Sequence, residues 1–188
     1  MLKIGDKKLI GAWAFYDWAN SVYSLVISTA VFPLFYSAIT EGKTVYFLGM
    51  KWEYADTLYS YALSFSFLIV AFMSPILSAI ADYTGNKLKF MKFFCWLGGL
   101  SVITMYFFKD LNTAWIGIIC TILASIGFWS SVVFYNSYLP EVAHPEEQDA
   151  ISAKGFIYGY TGSIILLIFC LAMILAPGMF GFDLSISQ

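Results

Sequence analysis

The chain is built from long apolar runs separated by short polar connections. Five runs stand out, at about residues 9–39, 57–81, 90–108, 114–135 and 153–176. Each exceeds or approaches the roughly 20 residues that a helix needs to cross the hydrocarbon core of a bilayer. The strands of a membrane barrel would instead alternate apolar and polar positions in segments of about ten residues, and no such alternation occurs. The pattern predicts an all-α integral membrane fold with five transmembrane helices. No linker or low-complexity stretch interrupts it, so residues 1–188 read as a single membrane domain.

The connections differ in character. Residues 41–56 carry Tyr46, Phe47 and Trp52, side chains suited to the membrane–water interface. Residues 82–89 and 109–113 are tight turns. Residues 140–150 form a longer loop with Glu141, Glu146, Glu147 and Asp149, expected to be solvated. The first apolar run is too long for a cleavable leader, and no small-residue cleavage site follows it.

Composition sharpens this picture. Of the 188 residues, 60% are hydrophobic and only 12% charged, against about a quarter charged in a soluble domain. A net charge of −2 offers no basic surface for nucleic acid. All ten basic residues are Lys, so bidentate Arg recognition of phosphate or carboxylate is absent from the chain. The lysines also predict orientation. With the N-terminus in the cytoplasm, Lys3, Lys7, Lys8, Lys87, Lys89, Lys92 and Lys154 lie inside, and Lys43, Lys51 and Lys109 outside. Cytoplasmic loops carry the lysine excess, so the N-terminus is expected inside and the tail 178–188 outside. A bacterial inner (cell) membrane is the expected location.

Little points to enzyme chemistry. Cys95, Cys120 and Cys170 fall in apolar runs without CxxC or Cys/His spacing, so they read as small buried hydrophobes. His144 reads as a solvated loop residue. No Ser/His pair, Gly-x-Ser-x-Gly or His/Glu metal spacing is present. No catalytic residue, metal or cofactor is expected, and the chain does not read as an enzyme. The many aromatic residues read as lipid-facing bulk and interface anchors.

Asp17 is the exception inside the first run. A carboxylate within a membrane helix costs roughly 2.5–3.5 kcal/mol on insertion scales, and such acids usually face a bundle interior or a watery cavity. Asp17, Ser21, Ser24 and Ser28 follow at helical spacing, which predicts one polar stripe flanked by Asn20. Two readings stand. The stripe is a cavity wall, with Asp17 as a proton site or cation-binding carboxylate. Alternatively, the serines join helices by hydrogen bonds, and Asp17 caps a neighbouring helix or bonds to Tyr or Asn. In the fourth helix Asn136 either lines the inner mouth or caps the helix end. In the fifth, Gly155, Gly159 and Gly162 share a face that permits close helix packing. Pro33 and Pro75 each remove a backbone donor and are expected to bend their helices.

The turn after the second helix reads Ser78-Ala79-Ile80-Ala81-Asp82-Tyr83-Thr84-Gly85-Asn86-Lys87. It resembles the signature loop of the major facilitator superfamily, G-x-L-A-D-R-x-G-R-K. Ala81, Asp82, Gly85 and Lys87 match in spacing, Ile80 replaces the Leu, and Ser78, Tyr83 and Asn86 depart from the pattern. Without the arginines, Asp82 needs another cation or a helix N-terminus as partner. Three further stretches resemble the vacuole-effluxer branch, which includes the autophagy-related amino-acid effluxers and bacterial relatives. They are the first helix from Trp13 to Ser24, Phe134-Tyr135-Asn136-Ser137-Tyr138-Leu139-Pro140-Glu141, and Ser152-Ala153-Lys154-Gly155-Phe156-Ile157-Tyr158-Gly159-Tyr160.

The resemblance implies a secondary active transporter of a small solute, amino-acid-like or a metabolite, possible proton coupling, and alternating access. Asp82, Gly85 and Lys87 would form its gating loop. Major facilitators have two six-helix halves around a central cavity, so five helices would make most of the N-terminal half. The expected partners are the lipid bilayer, a small-molecule substrate, protons, and missing C-terminal helices of the same protein or a second copy. A non-transporting structural or assembly subunit, or an inactive truncated fragment, is the alternative reading.

Overall fold

The computed structural model describes residues 3–181, with Thr84 described by its backbone alone. The expected tail beyond residue 181 lies outside the described residues. Among the described residues five helices are long and apolar enough to cross a membrane, and the fold is an all-α membrane fold.

The first helix, α1, spans Lys7–Thr40. Asp6 caps it, its carboxylate accepting from the Lys8 backbone N–H at 2.8 Å, which satisfies a donor that helix geometry leaves free. It is α-helical over Lys7–Val22, π-helical over Tyr23–Val31 and α-helical again over Phe32–Thr40. Pro33 stands where the wide turn ends. A proline has no N–H to give, so in π-helical pairing the carbonyl five residues back, that of Ser28, loses its donor. The hydroxyl of Tyr59 supplies one instead, donating to Ser28 O at 2.8 Å. The effect of Pro33 is thus a change of helical winding.

A hairpin follows, where the sequence reading had only a loop. Its strands β1 (Val45–Phe47) and β2 (Met50–Trp52) pair antiparallel, with Val45 opposite Trp52. The two-residue turn holds Leu48 and Gly49 both at positive φ, 51° and 77°, as tight hairpins require.

Helix α2 (Ala55–Thr84) runs through Pro75 without a break and ends at Gly85 in the left-handed conformation, φ 63°. Helix α3 (Lys87–Thr104) starts two residues later, so the turn is shorter than residues 82–89. At the other end Asp110 and Thr113 form a reciprocal cap that starts α4 (Ala114–Ser137). The acidic loop also proves ordered. It holds a short helix, Leu139–Val142, a single turn at Pro145–Glu147, and then the start of α5, Gln148–Leu175. Asp149 in that first turn complements the positive helix terminus.

The centre of the bundle is α4. In the most apolar part of this span 61% of residues are buried, against 6–17% in the other four spans. α4 packs on α2 and α3, and α1 packs along α5. Close approach of α3 and α4 depends on Gly127, where a Cβ would lie 2.5 Å from Gly98 N. Hydroxyls buried on α4 are satisfied locally: Thr121 donates to Gly117 O at 2.8 Å and Ser131 to Phe128 O at 2.7 Å. Outward faces of the other helices carry exposed Phe72, Trp96, Ile103 and Ile168, which suit contact with lipid tails.

Candidate functional site

Asp17 opens onto a cleft of about 290 Å³ between α1, α4 and α5. Its wall includes Ser21 and Ser24 from α1, Trp129 from α4, and Gly159 and Ser163 from α5. The acid is weakly held. Its hydrogen-bond partner is Ser21, one turn along its own helix, donating to Oδ1 at 3.4 Å, a length at which little bond strength remains. Ser163 is buried, 1% exposed, and its hydroxyl has no partner among the described residues. Tyr16 and Tyr135 lie within electrostatic reach of Asp17. The Tyr135 ring is stacked between Trp13 and Tyr16, at 4.2 and 5.1 Å, and its hydroxyl is also buried without a partner among the described residues.

The three glycines of α5 bring that helix against α1. A Cβ on Gly155 would lie 2.8 Å from the Trp13 ring. On Gly159 it would lie 2.6 Å from Ser21 Oγ and 2.9 Å from Asp17 Oδ2, and on Gly162 it would meet the Trp18 ring. Gly159 therefore does more than permit packing: its missing side chain is the space beside the carboxylate.

The polar stripe expected on α1 is divided. Asp17, Ser21 and Ser24 share the cleft, but Ser28 is placed with Tyr23 and Tyr59. The reason is the π-helical stretch, whose wider turns advance each residue less far around the axis than α-helical spacing assumes. Asn20 faces another cavity, of about 520 Å³, between α1, α3 and α4. There the Tyr16 hydroxyl and Cys95 Sγ lie 2.9 Å apart. Asn136 is exposed and lines a third, shallower cavity of about 450 Å³ between α2 and α4, together with Ser74 and Pro75. Trp129 and Val132 line both this cavity and the Asp17 cleft, so the two adjoin.

Sequence reasoning passed over Trp129, Ser163 and Tyr135. Trp129 was one aromatic among many, and nothing in its neighbours separated it from lipid-facing bulk. Ser163 carried a usable signal: it lies four residues after Gly159, on the same helical face.

At the end of the bundle that carries the α2–α3 turn, Lys87 joins two acids. Its Nζ lies 3.0 Å from Asp82 Oδ1 and 2.9 Å from Glu141 Oε1. Asp82 thus finds its partner five residues along the chain, and Glu141 brings in the short helix after α4. The Gly5 backbone N–H donates to Val142 O at 3.0 Å, which ties the N-terminus to the same place. His144 is exposed beside Gly5.

Comparison with known proteins gives this chain a family. The model of a family described as "Vacuole effluxer Atg22 like" matches residues 5–187. The chain is similar to an uncharacterized MFS-type transporter, YxiO, of Bacillus subtilis (strain 168), with 39% identity over 165 residues, 87% of this chain and 37% of that protein. It is similar to an uncharacterized protein of Aquifex aeolicus (strain VF5), with 27% identity over 84% of this chain and 37% of that protein. Autophagy-related protein 22 of Coccidioides immitis (strain RS) is 25% identical over 72% of this chain and 28% of that protein. The chain therefore spans 28–37% of the length of the curated relatives it matches. No solved structure matches it. With the family match covering nearly the whole chain and the apolar helices to carry it, this integral membrane protein belongs to the vacuole effluxer Atg22-like family, a branch of the major facilitator superfamily.

Proposed function

We propose that the chain forms part of a secondary active transporter for a small solute, amino-acid-like or another metabolite, and that the Asp17 cleft belongs to its pathway. The observation that carries this reading is the state of Asp17. It is a carboxylate about a third of the way along a membrane helix, held by one long hydrogen bond and facing a cleft. An acid kept only to join helices would be expected to have its oxygens satisfied, since an unpaired polar group in apolar surroundings is costly.

In this reading Asp17 takes up and releases a proton as the solute moves, and the cleft is one wall of a cavity that alternates between the two sides. The opposite wall comes from further helices of the complete protein or from a second copy. The five helices then correspond to most of the first half of a major facilitator fold. Lysine placement supports a cytoplasmic N-terminus, at the end where Lys7, Lys8, Lys87 and Lys154 lie, and the bacterial relatives support a cell-membrane location.

The test is transport by the complete protein in liposomes, screened with labelled amino acids and small metabolites under an imposed pH gradient. Wild type is expected to accumulate or release at least one of them with a dependence on the gradient. Asp17→Asn is expected to lose that dependence while still inserting and folding. Transport by Asp17→Asn with an unchanged response to pH would sink the proton role of this residue.

A further inference from the structure

We propose that the Asp17 cleft receives a cationic, ammonium-type head group of the solute, and that Trp129 is the ring against which this head group lies. The inference rests on the cleft being part of a transport pathway and adds the chemical class that this wall selects.

Among the described residues, Asp17 is the only charged group lining the cleft. No described lysine lines it, and the chain has no arginine. This wall offers an anion no opposite charge, so a carboxylate or phosphate brought here would meet repulsion from Asp17 with only serine hydroxyls to donate to it. The remaining polar groups, the hydroxyls of Ser21, Ser24 and Ser163, can accept from an N–H donor. Ser163 in particular is buried with its hydroxyl unpartnered among the described residues. A buried hydroxyl without a partner is costly, and a bound donor would relieve that cost.

Aromatic rings make up much of the rest of the wall, beside Leu25, Val132 and Gly159. Trp129, Phe128, Phe156 and Tyr160 surround a space of only about 290 Å³. The faces of such rings attract cations, Trp most strongly. The Trp129 ring is held in place by edge contacts with Phe128 at 4.9 Å and with Phe67 of α2 at 5.7 Å, so little ordering remains to be done when a ligand arrives. Alternative occupants fit less well. A proton alone needs no aromatic wall. A calcium-like ion wants six or more oxygen ligands, and only one carboxylate is available. An organic ammonium group uses all three features: the acid, the free hydroxyl and the rings.

The test uses the complete protein in detergent, with its other cysteines replaced and Ser24→Cys introduced as a reporter on the cleft wall. Labelling of this thiol by the neutral reagent methyl methanethiosulfonate is followed in the presence of n-butylammonium, of neutral n-butanol and of butyrate. The expected result is protection by n-butylammonium alone, with a slowing of up to about tenfold, the scale of a desolvated cation–π contact beside a carboxylate. Trp129→Ala and Asp17→Asn are expected to lose the protection, and Trp129→Phe to keep part of it. The unprotected labelling rate shows that each variant still presents the cleft. Equal protection by n-butanol, protection by butyrate, no protection by any of the three, or full protection in Asp17→Asn would each overturn the proposal. Transport without charge-selective protection would defeat this inference alone, and protection without transport would defeat the transport reading alone.

Discussion

The two polar regions of this membrane domain handle charge in opposite ways. At the α2–α3 turn, Lys87 lies within 3.0 Å of both Asp82 and Glu141. About a third of the way along α1, Asp17 has one hydrogen bond of 3.4 Å, to a serine on its own helix, beside a Ser163 hydroxyl that has none among the described residues. The side chains of Asp82 and Glu141 are 61% and 53% exposed, so their ion pairs are screened by water and each contributes about 0–1 kcal/mol. Asp17 lies deep in an apolar segment, where the cost of an acid is several times larger. A fold that pairs its cheap charges and leaves its expensive one half-paired is using them differently. The turn fastens elements together, and in the proposed reading the cleft leaves a group available to a passing solute.

The strongest way to break the contrast is to fill the cleft from the α5 side. Gly159→Leu places a Cβ 2.6 Å from Ser21 Oγ and 2.9 Å from Asp17 Oδ2, with more atoms beyond it. Overpacking of this kind costs about 1–3 kcal/mol, and transport is expected to vanish because the space beside the acid is gone. Thermal unfolding in detergent and liposome uptake measure the two effects, and uptake near the wild-type rate would show that the cleft is not on the pathway. Gly85→Val tests the other region. Nothing lies within 4 Å of a Cβ there, but φ is +63°, a left-handed conformation that costs roughly 1–2 kcal/mol for a residue with a side chain. It should slow cycling more than it weakens solute affinity, and Gly85→Asn, which tolerates that conformation better, should recover most of the rate. Equal rates for Val and Gly would remove the turn from the cycle.

The contrast was only half legible in the sequence. Helix number and approximate extent followed from run length and hydropathy, because each span is apolar almost throughout. The pairing of Lys87 with Asp82 was within reach too, since five residues around a tight turn bring the two together. Glu141 was not, because its approach depends on where α4 ends relative to α2. On α1, α-helical spacing placed Ser28 beside Asp17, and the π-helical stretch from Tyr23 to Val31 moved it to Tyr59. Pro33 alone does not announce such a stretch; the winding also depends on the donor that Tyr59 of α2 provides to Ser28 O. Trp129 was hidden for a related reason. Whether a ring on a membrane helix faces lipid or a cleft is decided by its neighbours, and α2 and α5 supply those from far along the chain.

Smaller changes sharpen the comparison at the turn. Lys87→Met removes the shared cation and leaves Asp82 and Glu141 facing each other without it. Two screened pairs are lost, so stability should fall by about 1 kcal/mol. Solute binding in the cleft should be unchanged, since Lys87 does not line it. A loss of binding affinity equal to the loss of stability would mean that the two regions are not separate in function.

Glu141→Gln is the mildest of these tests and the most specific. It keeps the shape of the side chain and its reach to Lys87, and removes only the charge. Asp82 remains as the partner of Lys87, so the cation is not stranded. The expected loss is about 0.5 kcal/mol at low salt. Raising the ionic strength to about 1 M shortens the screening length to roughly 3 Å, so the difference between wild type and variant should then close. Asp17→Asn provides the internal control. Its effect on transport arises inside the membrane span, where salt screens buried charge much less, and it should persist at the same ionic strength. If both variants lost their effect in salt, Asp17 would be as exposed to solvent as Glu141, and the contrast between a fastening and a receptive site would fall.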